Sequence, residues 1–238
     1  MSYGIEIRGK DGGILLDSDY HLLKFAGKGT NVMTGVAANG GLLGITYYGQ
    51  VLSPALSLTS EPAVFCSIAT GQNIAVGRIW ANDATHRTFQ YNSAYNMYPD
   101  TYWFENKEKA ASDDDYGLLV YDASANLLFD SGWYKKDLLN VVNIKSLTAT
   151  LGQSMTVDAG ITKPAFMFRS TYGRWYRDDP PYLGWFKRMA VRRTSAVFSL
   201  EEIFIVHKRF TYGNAYAAQT WSDGRTYPVP VIDGTLYD

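Results

Sequence analysis

One cysteine in 238 residues leaves no partner for an internal disulfide. Cys66 lies in the apolar run AVFCSIA (63–69), where a small buried hydrophobe is expected. The chain has three histidines, His21, His86 and His207, too far apart in sequence to suggest one constellation. Neither G-x-S-x-G nor G-x-x-x-x-G-K-[ST] occurs, so the sequence supplies neither a nucleophile elbow nor a phosphate-binding loop. His86 and Asp83 in NDATHR (82–87) read as a polar loop. Asp113, Asp114 and Asp115 are adjacent, which points their carboxylates apart in an extended chain and lacks calcium-loop spacing, so a solvated linker is expected. The expectation is a non-enzymatic chain with no catalytic residue, metal ligand or cofactor.

Charge of either sign is also scarce. With 22 Lys and Arg against 23 Asp and Glu, nothing draws the chain generally to nucleic acid or to an anionic membrane. Residues 29–60 carry no charge at all, yet Gly, Thr, Asn, Gln, Ser and Pro54 interrupt them too often for an apolar run of about 18. Stable membrane insertion is therefore not expected. A Gly-rich loop with strands, or a surface covered by a neighbouring subunit, fits this stretch better. The opening MSYGIEIRGKD lacks the basic segment and apolar stretch of a secretory signal, giving the expectation of synthesis and folding in a cytoplasm.

What the chain does have is apolar and aromatic residues, 46% and 15% of the total, in a globular composition. It also has a phrase written twice: YGIEIRGKDGGILLDS (3–18) and YGLLVYDASANLLFDS (116–131), offset by 113. In the first, Ile5 and Ile7 alternate with Glu6 and Arg8, Asp11-Gly12 supplies turn chemistry, and Ile14, Leu15 and Leu16 return. That pattern is a β-hairpin, closed by Asp17 and Ser18 bonding to backbone. The second repeats the plan, with Asp130 and Ser131 at its close. It places Leu119 and Tyr121 where the first has Glu6 and Arg8, so cover on both its faces is expected, from the first domain, the C-terminal tail or another subunit.

Weaker echoes follow. EPAVFC (61–66) matches KPAFMF (163–168) at an offset of 102, and TYWFENK (101–107) matches EIFIVHK (202–208) at 101. Helical signal is scarce, and SLEEIF (199–204) reads as a turn entering a strand because β-branched and aromatic residues follow it. The fold class expected is all-β: two related antiparallel sandwich-like domains, 1–112 with a Gly-rich insertion near 27–60 and 113–210, and an extended C-terminal arm over 211–238. A single sandwich containing both hairpins is the alternative. Pro228 and Pro230 place the end of the chain on a sheet edge or in an arm.

Two aromatic clusters are candidate contact surfaces. The first holds Tyr95, Tyr98 and Tyr102, with Trp103 and Phe104 more in keeping with a core; the second holds Tyr172, Trp175, Tyr176, Tyr182 and Trp185 beside Arg174 and Arg177. Amphipathic rings in turn-rich segments suit subunit contacts or stacking on sugars. The local basic excess, which includes Arg169, Lys187, Arg188, Arg192 and Arg193, suits bonding across a subunit boundary to an acidic segment such as 113–115 better than nucleic-acid binding.

The repeated phrase, with Tyr3-Gly4 and Asp17-Ser18 in one copy and Tyr116-Gly117 and Asp130-Ser131 in the other, resembles the opening of tail-tip and tail-fibre-associated structural proteins of tailed bacteriophages. Met1-Ser2-Tyr3-Gly4 fits the usual placement. The resemblance covers two blocks of about twenty residues and carries no catalytic residues. It implies a virion structural protein at the distal tail, assembled symmetrically with copies of itself and other tail proteins. The alternatives are a module binding a bacterial receptor or glycan, and a tail-associated polysaccharide hydrolase.

Overall fold

The computed structural model describes residues 6–8, 14–17, 23–37, 46–57, 61–106, 111, 117–121, 124–133, 137–148, 152–167, 173–178, 183–209 and 226–238. Strand is the dominant regular structure among them, and every strand pairing is antiparallel. Among the described residues the only helical segments are two short 3-10 turns, Ser131–Trp133 and Gly234–Tyr237. Two hairpins form separate two-stranded sheets: β1 (Glu6–Arg8) with β2 (Ile14–Asp17), and β10 (Leu119–Tyr121) with β11 (Leu127–Asp130).

A six-stranded sheet runs in the order β12 (Asn143–Thr148), β18 (Thr226–Asp233), β14 (Pro164–Phe166), β6 (Ala63–Ser67), β9 (Asp100–Glu105), β3 (Lys24–Lys28). A larger sheet runs β13 (Ser154–Thr156), β17 (Val197–Arg209), β16 (Leu183–Thr194), β7 (Asn73–Ala81), β8 (Arg87–Ser93), β5 (Thr46–Leu52), β4 (Thr30–Ala37), with β15 (Gly173–Asp178) also pairing β16. The two sheets pack face to face, and one core cluster joins Val64, Trp103, Phe166 and Val231 of the first to Val51, Phe89, Val191 and Phe198 of the second. Cys66 lies within this core, where burial pushes its thiol pKa up and leaves it a neutral apolar filler.

Period-two alternation sends the intervening side chains of the six-stranded sheet to its other face. There Phe65, Tyr102, Phe104, Ala165 and Ile232 pack beneath Tyr237 of the second 3-10 turn. Because both faces are covered, Ala63–Cys66 and Tyr102–Phe104 are apolar at consecutive positions rather than alternating with polar residues.

Several expectations are corrected here. Each of the two large sheets takes strands from both 1–112 and 113–210, and β6 pairs β14 through Cys66 and Phe166, so a boundary at residue 112 does not divide the sheets. The echoed strands 63–67 and 164–166 are neighbours in one sheet, whereas β9 and β17, which carry the other echo, lie in different sheets. The Gly-rich stretch supplies two strands of the larger sheet, β4 and β5, and residues 38–45 between them lie outside the described residues. The run SLEEIF is strand throughout, entered from a tight turn in which Ser195 has φ +56°.

The expected C-terminal arm is corrected over its last part; residues 211–225 lie outside the described residues. β18 lies between β12 and β14, well inside the sheet. Its prolines are tolerated because of where their missing donors point. The Pro230 carbonyl accepts from Met167 N at 3.0 Å, so its ring nitrogen faces the β14 side, as does that of Pro228 two residues before. β14 ends at Phe166, opposite Val231, so both absent N–H groups fall past its end. On the other side β12 pairs continuously from Asn143 to Thr148.

The last residues lock this arrangement. The Tyr237 hydroxyl donates to Leu138 O at 2.7 Å and accepts from Asn140 N at 2.8 Å, while its ring lies 4.9 Å from that of Phe104 and 5.0 Å from that of Phe25. Replacing Tyr237 by Phe, which leaves two buried backbone groups without their partner, is expected to cost about 1–3 kcal/mol in chemical denaturation. Tyr237→Ala, which also empties the ring's site, is expected to cost about 3–5 kcal/mol. A free arm would make both substitutions silent.

Candidate functional site

The repeated phrase folds the same way twice. In the first hairpin Glu6 pairs Asp17, Ile7 pairs Leu16 and Arg8 pairs Ile14, with a bulge opening after Ile7. In the second Leu119 pairs Asp130, Val120 pairs Phe129 and Tyr121 pairs Leu127, with the bulge after Val120. Every pair in one copy maps onto the other at the same offset of 113, the bulge included. A bulge bends a ribbon and fixes which residues face which way, so the copies share shape as well as register. Tyr3, Gly4, Ser18 and Tyr116 lie outside the described residues.

The second copy shows what the repeated letters do. Ser131 Oγ accepts from Leu118 N at 2.9 Å, Ser131 N donates to Leu118 O at 3.0 Å, and Asp130 Oδ1 accepts from Gly132 N at 2.7 Å. A Cβ at position 117 would stand 2.5 Å from Ser131 Oγ, so Gly117 is the residue that lets this clasp close. In this copy Gly and Asp-Ser fasten the base of the hairpin. At the tip, Ala125 holds φ +64°, at the position where the first phrase has Gly12.

Cover on both faces of the second hairpin, expected from its sequence, is corrected. Val120 and Leu128 are buried, but Leu118, Leu119 and Tyr121 are 44%, 42% and 49% exposed. The chain does not shield that face from water.

The first aromatic cluster divides into loop and sheet. Tyr102 is fully buried, which corrects its reading as a contact residue; Trp103 and Phe104 are core, as the sequence suggests. Burial pushes the Tyr102 phenol pKa up to about 12. Its hydroxyl donates to Asp238 Oδ1 at 3.1 Å inside a charged ring in which Lys163 bonds Asp100 at 2.7 Å and Asp238 at 2.9 Å, and Lys28 bonds Asp238 at 2.9 Å. Partial burial works to raise the Asp238 carboxyl pKa, but the two ammonium groups outweigh it and hold it at about 2.

Tyr95 and Tyr98, by contrast, are 37% and 63% exposed on the loop after β8. Buried groups hold this loop from beneath. Tyr91 OH donates to Met97 O at 2.6 Å, Asn73 Oδ1 accepts from Ala94 N at 2.9 Å, and Ser93 Oγ accepts from Tyr95 N at 3.0 Å. Met97 itself is sunk in the main core. The loop thus presents two tyrosines from a fixed base.

The second cluster is a three-stranded ribbon. Trp175 lies opposite Phe186, Tyr176 opposite Trp185, and Arg174 opposite Lys187, while Trp185 in turn lies opposite His207. Tyr172 and Tyr182 fall outside the described residues, as do Arg169 and Asp113–Asp115. Two members of the basic excess have partners within the chain: Arg192 bonds Glu201 at 3.4 Å and Arg193 donates to Ile68 O at 2.8 Å.

Asp83 and His86 meet within one exposed turn, where the carboxylate accepts from the backbone N–H groups of Thr85 and His86, both at 2.8 Å, and lies 3.0 Å from His86 Nδ1. The Thr85 N–H is the largest of the contacts that hold the Asp83 carboxyl well below the usual range. This is the local polar loop read from the sequence. Among the described residues no three His, Cys, Asp or Glu side chains converge on a point that could hold a metal ion, and no helix is long and apolar enough to cross a membrane. No protein-family model, curated protein or solved structure matches the chain.

The hairpin geometry makes one direct prediction. Left-handed backbone costs an L-residue about 1–2 kcal/mol, and glycine's added freedom when unfolded returns only part of that. Ala125→Gly is therefore expected to raise stability by up to about 1 kcal/mol, read as a higher denaturation midpoint at unchanged m. A lowered midpoint would mean that the tip does not adopt this conformation.

Proposed function

We propose that the chain is a structural component of a bacteriophage tail tip or baseplate, mediating assembly at the distal tail. The observation that carries this reading is the Tyr-Gly to Asp-Ser phrase, present twice and built on one register with one bulge. Two-stranded ribbons are marginal alone and gain stability by packing on something else. The exposed pair Leu119 and Tyr121, side by side on one face of the second hairpin, supports a role among neighbouring chains. In this reading the chain is non-enzymatic, needs no cofactor, and works in the virion beside copies of itself and other tail proteins.

The test is location. Cryo-microscopy of virions from the phage that encodes the chain is expected to place it at the distal end of the tail, and disrupting its gene is expected to give particles lacking tips. Normal infectious particles without the chain would overturn the proposal.

A second reading, a receptor- or glycan-binding module, draws on the loop that holds Tyr95 and Tyr98 outward from a buried base. Planar rings fixed in this way stack on sugar rings at low cost in conformational freedom. Here Tyr98→Ala is expected to lower binding to host surface polysaccharide about tenfold with an unchanged melting temperature. Equal binding by both proteins would remove the second reading.

A further inference from the structure

The two edges of the six-stranded sheet are finished differently. At β3 the chain covers its own edge: Phe25 N donates to Asp137 O, Leu139 N donates to Leu23 O, and Leu138 bridges Lys24. At the other edge β12 pairs β18 continuously from Asn143 to Thr148, and no described residue pairs its outer side. The prolines of β18 fix which groups are left there. Because Pro228 and Pro230 face β14, it is Tyr227, Val229 and Val231 that bond β12, through Leu147, Lys145 and Asn143 opposite them. The N–H and C=O groups of Ile144, Ser146 and Thr148 therefore point outward from the sheet.

Open edges are ordinarily blunted by a bulge, a proline or an unpaired lysine. β12 contains neither bulge nor proline, and its one charged residue, Lys145, shares the core-facing side with Val229 and pairs with Asp158 at 3.7 Å. On the other face Ile144, which lies across from Pro230, is 66% exposed, and Ser146 is exposed as well. An open ladder flanked by an exposed apolar side chain is a surface for another strand.

We infer that β12 pairs with β12 of a second copy of this chain, antiparallel about a two-fold axis at Ser146, joining the two six-stranded sheets into one. Register carries the choice of partner. With the axis on Ser146, Ile144 meets Thr148 of the other copy and Ser146 meets Ser146, so every outward N–H finds an outward carbonyl. With the axis on Lys145, like charges stand opposite each other, and Thr148 meets Val142, whose N–H is already held by Val231 O. With the axis on Leu147, Ile144 falls past the end of the strand. The strand thus matches itself in one register without opposed charges, and the contact is isologous, closing at two copies. The inference deepens the assembly role proposed above, on which it rests for the presence of neighbouring copies.

The experiment is light scattering and sedimentation velocity on the full chain. The native protein is expected to form a dimer of its 26.6 kDa monomer. Ser146→Glu and Ser146→Lys each set like charges face to face at the axis and are expected to weaken association at least about tenfold. Position 146 is exposed, so circular dichroism and melting temperature are expected to stay native. Mixed in equal amounts, the two variants are expected to restore the dimer. Ser146→Pro removes an N–H that bonds no described residue of its own chain, and is expected to fold and stay monomeric; if it does not fold, the charge pair decides. A native protein that stays monomeric up to its solubility limit, a Glu variant that dimerises as the native chain does, or a Glu and Lys mixture that stays monomeric would each overturn the inference. Dimers formed in solution by a chain missing from virions would overturn the tail reading and leave this contact standing. A chain present at the tail yet monomeric in solution would do the reverse.

Discussion

Burial of both faces of the six-stranded sheet is the constraint on which the rest of the structure depends. One face is closed by the larger sheet and the other by Tyr237 and the segment around Leu139 and Val141. A sheet closed on both sides tolerates few charged residues inward on either, which is why β6 and β9 are apolar at consecutive positions. It also makes the last residues structural. β18 completes the ladder between β12 and β14, and the turn that follows it supplies the ring over Phe104. Sandwich and C-terminus are therefore one cooperative object.

This explains which features could be read from the sequence. Hairpins are local: Ile5-Glu6-Ile7-Arg8 and the Asp-Gly turn carry their own periodicity, and both ladders lie where the sequence predicts. The all-β class is legible for the same reason. Sheet membership is not local. Nothing in the spacing of 63–67 and 164–166 says that these echoed strands pair with each other, because their contact is set by the shared core. Pro228 and Pro230 misled for a geometric reason, since composition cannot show that both missing donors fall past the end of a short neighbouring strand.

The contact residues divide along the same line. Tyr95, Tyr98 and Tyr102 look alike in a list of aromatics, and only the start of β9 at Asp100 separates them. Upstream, Asn96, Met97 and Pro99 break the strand and leave two rings in water. Downstream, Tyr102 sits on a sheet whose second face is covered, so no position there is wet. A sequence signal for that cover did exist, in the lack of polar residues between Thr101 and Phe104. The same signal in the second hairpin, apolar on both faces, points to cover that this chain does not provide.

That difference bears on how the repeat works. Of the letters common to both copies, Gly117, Asp130 and Ser131 close the base of the second hairpin, and Gly117 is fixed sterically by Ser131. The letters that differ, Glu6 against Leu119 and Arg8 against Tyr121, occupy register positions that do no fastening. A framework of this kind separates folding from face chemistry: a single register carries Glu and Arg in one copy and Leu and Tyr in the other. Exposure of an oily face costs solubility, so it is retained where something binds it. Nothing in the fastening of the hairpin base requires the apolar residues at 119 and 121, which lie exposed on one face.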